Sequence, residues 1–503
     1  MGLKVDSSFL KFVTMGALGA RRVCELMAHA GLQPIELERY SRSNKIWSTK
    51  VKRLRLPDLL CVRTGLRVEV RAKSKLTIKM SDAPTNPDRR WNTGLAPRDM
   101  IAFVLIREAE NGTLHAAGNA ELFWVENLQE TEDDSRLGPP KSASEGAERD
   151  REWPSIVATN NGVVQAVDDT RISTRLEGGR NQTYRLRGKT AYFAPGRAFL
   201  AESQFLAGLP AAKAAFPSPR QVRWNPRDML RSDSPIDRYV AVKALGVVGG
   251  DPDFPAISNI AEHDPEGRVA LEAAVSLTRL GSAHGLELLR VAIDDPQVPF
   301  LRMEAVLALS ELYGTPLATC CADLLTEYAQ AEALADDEVR QAAIWGLGKD
   351  GLRAYARLLP FLDAPSDEEL VHAVCAFCPD ADAAIADELV AVLTSQASSE
   401  RKRASASFVL ARTIPAHLSG PRLVALRAHG SLGTRDWALA TLGQMSPAAI
   451  RDYVADPALA SQLRPLQLTS PETNWTRSEQ ITDMLAFVRK QTVEPPAPQG
   501  AQA

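Results

Sequence analysis

A repeated helical pattern fills the second half of this 503-residue chain. Seven segments share an Ala-rich run that ends in a large apolar residue, from RYVAVKALGVVG to RDWALATLGQM. Their alignment puts seven residues in one column, namely Leu245, Leu277, Leu309, Leu347, Phe377, Leu410 and Leu442. The steps along this column are 32, 32, 38, 30, 33 and 32 residues. Such a period predicts one helical hairpin per repeat, stacked on its neighbours.

The pattern resembles the short HEAT-like repeats and covers roughly residues 220–450. Small Ala and Gly residues let neighbouring helices approach closely, while the apolar column forms a continuous core. We expect further helix to cap the array to about residue 490, because an open end would expose that core. The domain prediction is therefore an all-α HEAT-like solenoid with its cap over 220–490 and a disordered tail over 491–503.

The first half has a different periodicity. A helix is predicted from about Ser8 to Gly31, which are suitable capping residues. The segments PDLLCVR and LRVEVRAKSKLTIKM, joined by a Thr-Gly turn, then predict a strand hairpin. With later strand candidates such as MIAFVLIRE, this predicts an α+β domain over 1–128. The polar segment 129–151 predicts a linker, and strand-like pieces over 152–210 predict a small β domain. The chain is thus multidomain.

Basic residues concentrate between Arg39 and Lys79, where 13 Lys or Arg residues accompany only two acids. A segment this basic predicts attraction to the phosphates of nucleic acid, with DNA preferred over RNA. The side chains expected to contact nucleic acid are Lys45, Trp47, Lys50, Lys52, Arg53, Arg55, Lys75 and Lys79. The alternative interpretation is a solvated cationic face without a ligand.

The two acids of the basic segment, Asp58 and Glu69, are placed to act together. Asp58 starts the first strand of the predicted hairpin, and Glu69 lies in the middle of the second strand. Because side chains alternate along a strand, Glu69, Arg71 and Lys73 share one face. Two carboxylates on paired strands can hold Mg²⁺ or Mn²⁺, which activates a water and stabilises charge on the scissile phosphate.

This hairpin resembles the PD-(D/E)XK nuclease superfamily. The family pattern is Pro-Asp, a turn and an acid-x-Lys on the next strand, after a helix that often carries a Glu. LPDLLCVRTGLRVEVRAK supplies Asp58 and Glu69, and the preceding helix supplies Glu25. The resemblance covers roughly residues 8–106. It implies a restriction-endonuclease-like core in which Asp58 and Glu69 are the metal ligands and Glu25 completes the metal shell.

One position departs from the family pattern. The family lysine, two residues after the acid, is Arg71 here, and arginine does not release its proton. One interpretation is that Lys73 or Arg71 positions the water, so that the protein is a Mg²⁺-dependent nuclease acting in phage defence or DNA repair. The alternative is a non-catalytic scaffold whose degenerate nuclease fold binds nucleic acid without cleaving it. A third hypothesis is that the repeats form a lyase or a chaperone, because bilin lyases have similar repeats.

The repeats and the basic segment carry net charges of opposite sign. Residues 237–400 contain 28 acids and 10 basic residues, a net charge of −18. Such a surface repels a phosphate backbone, so the repeats are expected to bind a protein partner or to self-assemble. The six cysteines are irregularly spaced, and no run of about 18 apolar residues occurs. These features predict a cytoplasmic protein without a membrane partner.

Overall fold

The computed structural model describes residues 7–37, 54–108, 114–143, 147–219, 224–331, 337–377 and 381–469. The described chain forms two compact units. The first unit comprises residues 11–37 and 54–273, and the second comprises mainly residues 274–469. Helix α1 (Ser7–His29) opens the chain.

A five-stranded sheet forms the centre of the first unit. The first six strands are β1 (Pro34–Glu36), β2 (Leu59–Cys61), β3 (Arg67–Lys73), β4 (Ile78–Asp82), β5 (Met100–Glu108) and β6 (Leu114–Trp124). Five of them form this sheet in the order β1-β2-β3-β5-β6. The β3–β5 pair is parallel, and the other pairs are antiparallel. A helix followed by mixed strands was the arrangement predicted for this part of the chain.

Helix α1 covers one face of the sheet. Its buried Val23 and Met27 pack in the same core cluster as Val68 and Val70 of β3. The helix also lies very close to β3, since a Cβ atom at Gly19 would stand only 3.1 Å from the Cβ of Ala72. The residues of β3 that alternate with Val68 and Val70 therefore belong to the opposite face.

The opposite face is covered by a second layer, which includes part of the segment predicted to be a linker. That layer contains α2 (Val125–Gln129), β7 (Arg136–Pro140) and β8 (Arg149–Trp153). Strand β8 lies between β4 and β7 in a three-stranded sheet. The linker prediction is wrong for the residues in β7 and β8. The reason is that Arg151 and Trp153 of the charged RDREW segment are buried, and Arg151 is neutralised there by the fully buried Asp82.

Seven short strands form the small β region, within the predicted range 152–210. They are β9 (Ser155–Val157), β10 (Gly162–Val167), β11 (Arg171–Leu176), β12 (Asn181–Arg185), β13 (Thr190–Ala191), β14 (Ala198–Phe199) and β15 (Phe205–Gly208). One sheet has the order β12-β11-β10-β14 and the other has the order β13-β15-β9. Strand β12 is therefore an edge strand.

The first repeat helices belong to the first unit. These helices are α3 (Pro226–Met229), α4 (Pro235–Val248), α5 (Phe254–His263) and the beginning of α6 (Gly267–Arg279). A Ser-Pro pair starts α4, because Pro235 has a helical φ and the hydroxyl of Ser234 accepts a hydrogen bond from the backbone N–H of Asp237. Tyr239 and Val240 share a core cluster with Leu60 and Val62, next to the sheet.

The second unit contains the remaining repeat helices. They are α7 (Ala283–Asp294), α8 (Pro299–Leu309), α9 (Ala318–Gln330), α10 (Asp337–Leu347), α11 (Ala354–Leu358), α12 (Asp367–Ala376), α13 (Ala383–Thr394), α14 (Glu400–Arg412), α15 (Ala416–His429), α16 (Leu432–Gln444), α17 (Pro447–Ile450) and α18 (Pro457–Thr469). Every member of the predicted apolar column is buried, which confirms the helical repeats. Within the described ranges, no helix is long and apolar enough to cross a lipid bilayer.

Polar contacts join equivalent helices of successive repeats in the second unit. Arg290 of α7 pairs with Glu327 of α9 at 2.8 Å, and Arg357 of α11 pairs with Asp323 of α9 at 2.7 Å. Such contacts neutralise some of the acids that the sequence places in the array. The predicted acidic surface is thus partly used to hold the repeats together.

Candidate functional site

The β2–β3 hairpin brings Asp58 and Glu69 together. Leu59 pairs with Val68 in this antiparallel hairpin, so Asp58, one residue earlier, stands opposite Glu69, one residue later. The tight turn between the strands contains Gly65 with a φ of 68°, a conformation that favours glycine. The predicted hairpin and its two neighbouring acids are therefore present in the structure.

The Asp58 carboxylate has a structural role in the hairpin. Its Oδ2 accepts a hydrogen bond of 2.7 Å from the backbone N–H of Val70. This bond continues the contact between the strands beyond the last regular pair, and it holds the carboxylate at the side of β3. Removal of the side chain would therefore remove both a candidate metal ligand and a backbone hydrogen bond.

Glu69 and Arg71 form an ion pair on the shared face of β3. Arg71 Nη2 lies 3.0 Å from Glu69 Oε1, and the Glu69 side chain is only 14% exposed. Arg71 is thus the direct counter-charge of the candidate metal ligand. A cation that is to reach Glu69 must compete with this guanidinium.

Lys73, on the same face of β3, has a lowered pKa. Its Nζ donates a hydrogen bond of 2.5 Å to the backbone carbonyl of Lys79. Burial, and after it the charges of Arg71 and Lys79, lower the pKa of Lys73 from 10.5 to about 8. A lysine with such a pKa has a neutral fraction near neutral pH and can exchange a proton with water.

An acid that the sequence did not suggest organises the cations next to Lys73. Asp150 of β8 accepts from Lys79 Nζ at 3.1 Å and pairs with Lys141 Nζ at 2.8 Å. The hydrogen bond from Lys141 is the largest cause of a lowered pKa at Asp150. Lys141 and Asp150 lie in the segment predicted to be a linker. The RDREW letters, four charged residues and a tryptophan, do not indicate that this segment approaches the site.

Glu25 does not join the two acids of the hairpin. It lies on α1, the helix that covers the opposite face of β3, between the inward-facing Val23 and Met27. The exposed Glu25 carboxylate pairs instead with Arg21 at 3.3 Å and with Arg22 at 3.5 Å. Its predicted role in the metal shell is therefore not supported by the geometry.

The predicted nucleic-acid contacts are described only in part. Lys45, Trp47, Lys50, Lys52 and Arg53 lie outside the described residues. Arg55 and Lys75 are exposed, whereas Lys79 is half-buried and bound to Asp150. The cationic contact surface therefore stays a prediction.

The donor set of the hairpin fits a magnesium ion that keeps several waters. In the described part of the chain, no group of three or more His, Cys, Asp or Glu residues is arranged to hold a metal ion. Asp58 and Glu69 offer two carboxylates from adjacent strands. Magnesium is commonly bound by one or two carboxylates together with waters and substrate phosphates.

A cleft of about 750 Å³ lies beside the start of β3. Arg67 donates to Asp99 at 2.8 Å and to Asp237 of α4 at 3.2 Å in this cleft. Burial is the largest effect on Asp99 and raises the pKa of its carboxyl group. Asp58 and Glu69 do not line this cleft. Arg67 thus pairs with carboxylates of both the sheet region and α4, which favours a structural role in joining the sheet to the first repeat helices.

Comparisons with known proteins identify the helical region. The family model described as HEAT repeats matches residues 226–310 and 254–348. Similar solved structures include the YibA protein of Escherichia coli (14% identity, 53% of this chain and 91% of that chain, TM-score 0.26) and human deoxyhypusine hydroxylase in complex with glycerol (19%, 53% and 94%, TM-score 0.21). A third is the complex of CpcE and CpcF of phycocyanin lyase from Nostoc (18%, 51% and 98%, TM-score 0.25).

No curated protein sequence matches this chain. The matched residues 226–348 lie outside the hairpin that carries Asp58 and Glu69. The match agrees with the buried apolar column and with the paired helices of the structure. The C-terminal region of this chain consists of HEAT repeats, which suggest a protein-binding scaffold.

Proposed function

We propose that the first unit is a Mg²⁺-dependent nuclease that cleaves DNA, and that the HEAT repeats bind the protein partner that recruits or regulates it. One observation carries this proposal. The β2–β3 hairpin holds Asp58 and Glu69 at opposite positions, with Arg71 and Lys73 on the same strand face as Glu69. A bound magnesium ion would supply charge stabilisation at the scissile phosphate and an activated water.

The protein side chains have separate tasks in this proposal. Asp58 and Glu69 hold the metal from adjacent strands. Lys73, with its pKa of about 8, accepts a proton from the attacking water or orients that water. Arg71 stays protonated, so it can leave Glu69 and form a charge-assisted hydrogen bond with the phosphate when substrate binds.

A cleavage assay tests the proposal. Purified full-length protein is incubated with plasmid, linear duplex, single-stranded DNA and RNA in Mg²⁺, Mn²⁺ or EDTA. Glu69→Gln and Asp58→Asn keep the size of each side chain, and the asparagine oxygen can still accept from Val70 N–H. Each is expected to lower the metal-dependent rate at least ~100-fold, as for loss of a directly acting catalytic group. Glu130→Gln, an exposed carboxylate at the end of α2, is the matched control.

The result has two clear outcomes. Cleavage that requires the metal and is lost in both hairpin variants, but not in the control, supports the nuclease. Cleavage that persists in Glu69→Gln at the wild-type rate contradicts the site assignment. Substrate preference in the same assay decides between DNA and RNA.

A non-catalytic nucleic-acid-binding scaffold is the second candidate. The ion pair between Arg71 and Glu69 favours it, because the guanidinium already neutralises the carboxylate that would bind the metal. Arg71→Lys restores the residue of the PD-(D/E)XK pattern and separates the candidates. A gain of metal-dependent cleavage in this variant, with none in the wild type, indicates a degenerate site. Equal binding of nucleic acid with and without metal, and no cleavage in either protein, indicates a scaffold.

The proposed role of the repeats is testable on its own. The net charge of −18 over residues 237–400 favours a partner with a basic surface. Cross-linking and mass spectrometry of tagged full-length protein in cells identify the partner. Capture that weakens at high salt supports an electrostatic contact.

A setting in phage defence or DNA repair predicts that deletion of the gene changes phage plating or survival after DNA damage.

A further inference from the structure

A second basic region lies in the small β region, apart from the hairpin. Between Arg171 and Arg197 the chain has seven Lys or Arg residues and a single acid, Glu177. Arg171 pairs with Asp168 at 3.0 Å. The arginines of this region whose side chains have no ion pair with any described residue are Arg175, Arg180, Arg185, Arg187 and Arg197. Unpaired cations at this density indicate a counter-charge from outside the chain.

Some of these cations line an open cavity of about 620 Å³ along the edge strand β12. Its wall contains four cations, Arg136, Arg185, Arg187 and Lys189, and one acid, Glu152. Arg136 and Glu152 come from the paired strands β7 and β8, and the other three come from β12 and the turn that follows it. We call this cavity the β12 pocket. The excess of positive charge in its wall selects for an anionic ligand.

The cations of the β12 pocket lie close enough to repel one another. Burial, and after it the charges of Arg136 and Arg187, lower the pKa of Lys189. Arg185 stands directly opposite Arg171 of β11, whose own guanidinium pairs with Asp168. Arg187 has a φ of 50°, which is unfavourable for a residue with a side chain. The fold therefore keeps these cations together despite a cost in stability.

A polar group in the pocket wall also lacks a partner. The hydroxyl oxygen of Tyr184 is buried and makes no hydrogen bond with any residue that the structure describes. Burial raises the pKa of this hydroxyl, so it stays a hydrogen-bond donor at neutral pH. A buried donor without an acceptor is uncommon in folded proteins. Tyr184 also packs against the core of the small β region, so a ligand in the pocket reaches this hydroxyl only if the side chain shifts.

We propose that the β12 pocket binds the phosphate backbone of a nucleic acid. Arginine forks match phosphate oxygens, and the pocket has three arginines and a lysine around one open space. Cations also continue outside the pocket at Arg175 and Arg180, so several consecutive phosphates can be neutralised rather than one. The choice of nucleic acid as the ligand rests on the proposed function. In that function the small β region holds the substrate strand.

Binding without cleavage tests the β12 pocket separately from the hairpin. Fluorescence anisotropy measures the affinity of the full-length protein for labelled single-stranded DNA, duplex DNA and RNA in EDTA, from 50 to about 200 mM salt. The double variant Arg185→Gln/Arg187→Gln removes two cations. The matched control is Arg171→Gln on the neighbouring strand, whose guanidinium is already neutralised by Asp168.

The double variant is expected to bind at least ~10-fold more weakly, and its plot of log affinity against log salt should be shallower by about 1 to 2. The control should change affinity less than ~2-fold. Wild-type affinity and slope in the double variant, with an unchanged circular dichroism spectrum, overturn the proposal. Displacement of the oligonucleotide by micromolar AMP or ATP also overturns it, because the pocket would then hold a free nucleotide.

The two proposals can fail independently. Loss of binding in Arg185→Gln/Arg187→Gln without any cleavage by the wild type supports the pocket and contradicts the nuclease. Metal-dependent cleavage with unchanged binding in the double variant supports the nuclease and contradicts the pocket.

Discussion

Replacement of Lys73 by methionine should stabilise the first unit at neutral pH. The ammonium group of Lys73 is largely buried near the cations Arg71 and Lys79. Its pKa is lowered from 10.5 to about 8. Below pH 8 both the folded and the unfolded chain carry this proton, so the folded chain bears the full cost of the charge. Methionine has a similar length and removes that charge.

The size of the effect follows from the pKa. The 2.5 pH units between 10.5 and about 8 correspond to about 3–4 kcal/mol, at about 1.4 kcal/mol per unit. The variant also loses the hydrogen bond from Nζ to the carbonyl of Lys79, which is worth about 1 kcal/mol. The Lys73→Met variant should therefore be more stable than the wild type by about 2 kcal/mol at pH 7.

The pH dependence gives the prediction a sign that can be checked. Between pH 8 and 10.5 the unfolded chain binds one proton more than the folded chain, so the wild type gains stability as pH rises. The advantage of Lys73→Met should be constant below pH 8, shrink above it and reverse near pH 10. Urea unfolding at pH 7 to 10, followed by the fluorescence of the buried Trp91–Trp153 pair, measures this difference.

The exposed Lys75 provides the control, because Lys75→Met should change stability by less than about 0.5 kcal/mol. A destabilised Lys73→Met at pH 7, or a difference from the wild type that does not change between pH 7 and 10, would refute the account of a costly buried charge. If the variant is more stable but has lost cleavage, the cost of this charge is connected to activity.

Two further predictions concern packing and buried charge in the first unit. Gly19→Ala should destabilise by about 1–3 kcal/mol, because its Cβ would stand 3.1 Å from the Cβ of Ala72, whereas Gly16→Ala on the same helix meets no atom within 4 Å and should stabilise by about 1 kcal/mol. Urea midpoints compare the two, and equal effects would contradict the close approach of α1 to β3. Asp82→Ala should cost about 3 kcal/mol, because it removes the carboxylate nearest to the buried Arg151 and leaves only Glu132, at 3.5 Å, as a counter-charge. Addition of Arg151→Met should recover part of that loss, and a double variant as unstable as Asp82→Ala would show that the charge is not the cause.

Local patterns in the sequence were sufficient for much of the fold. The apolar column repeats with a period of about 32 residues, and each of its members is buried. The β2–β3 hairpin was also predictable, because its two strands are joined by a short turn. The short turn also limits the register of the hairpin, and the observed register places Asp58 opposite Glu69.

Contacts between distant segments were not predictable. Glu25 was expected to join the acids of the hairpin, but nothing in the sequence indicates which face of the sheet α1 covers. The segment 129–151 has the composition of a linker, yet β8 lies in a sheet between β4 and β7. Its Arg151 has the polarity of a surface residue, but it is buried because Asp82, 69 positions earlier, and Glu132 pair with its guanidinium.

The sequence by itself determined the helical repeats, the hairpin and the residues that alternate on β3, because each depends on the spacing of neighbouring residues. The tertiary structure alone decided that Asp150 meets Lys79 and Lys141, and that β12 lines a cationic pocket with β7 and β8. The physical reason is that charge and burial act through space. Burial is the largest cause of the lowered pKa of Lys73, and burial is a property of the folded chain rather than of the neighbouring letters.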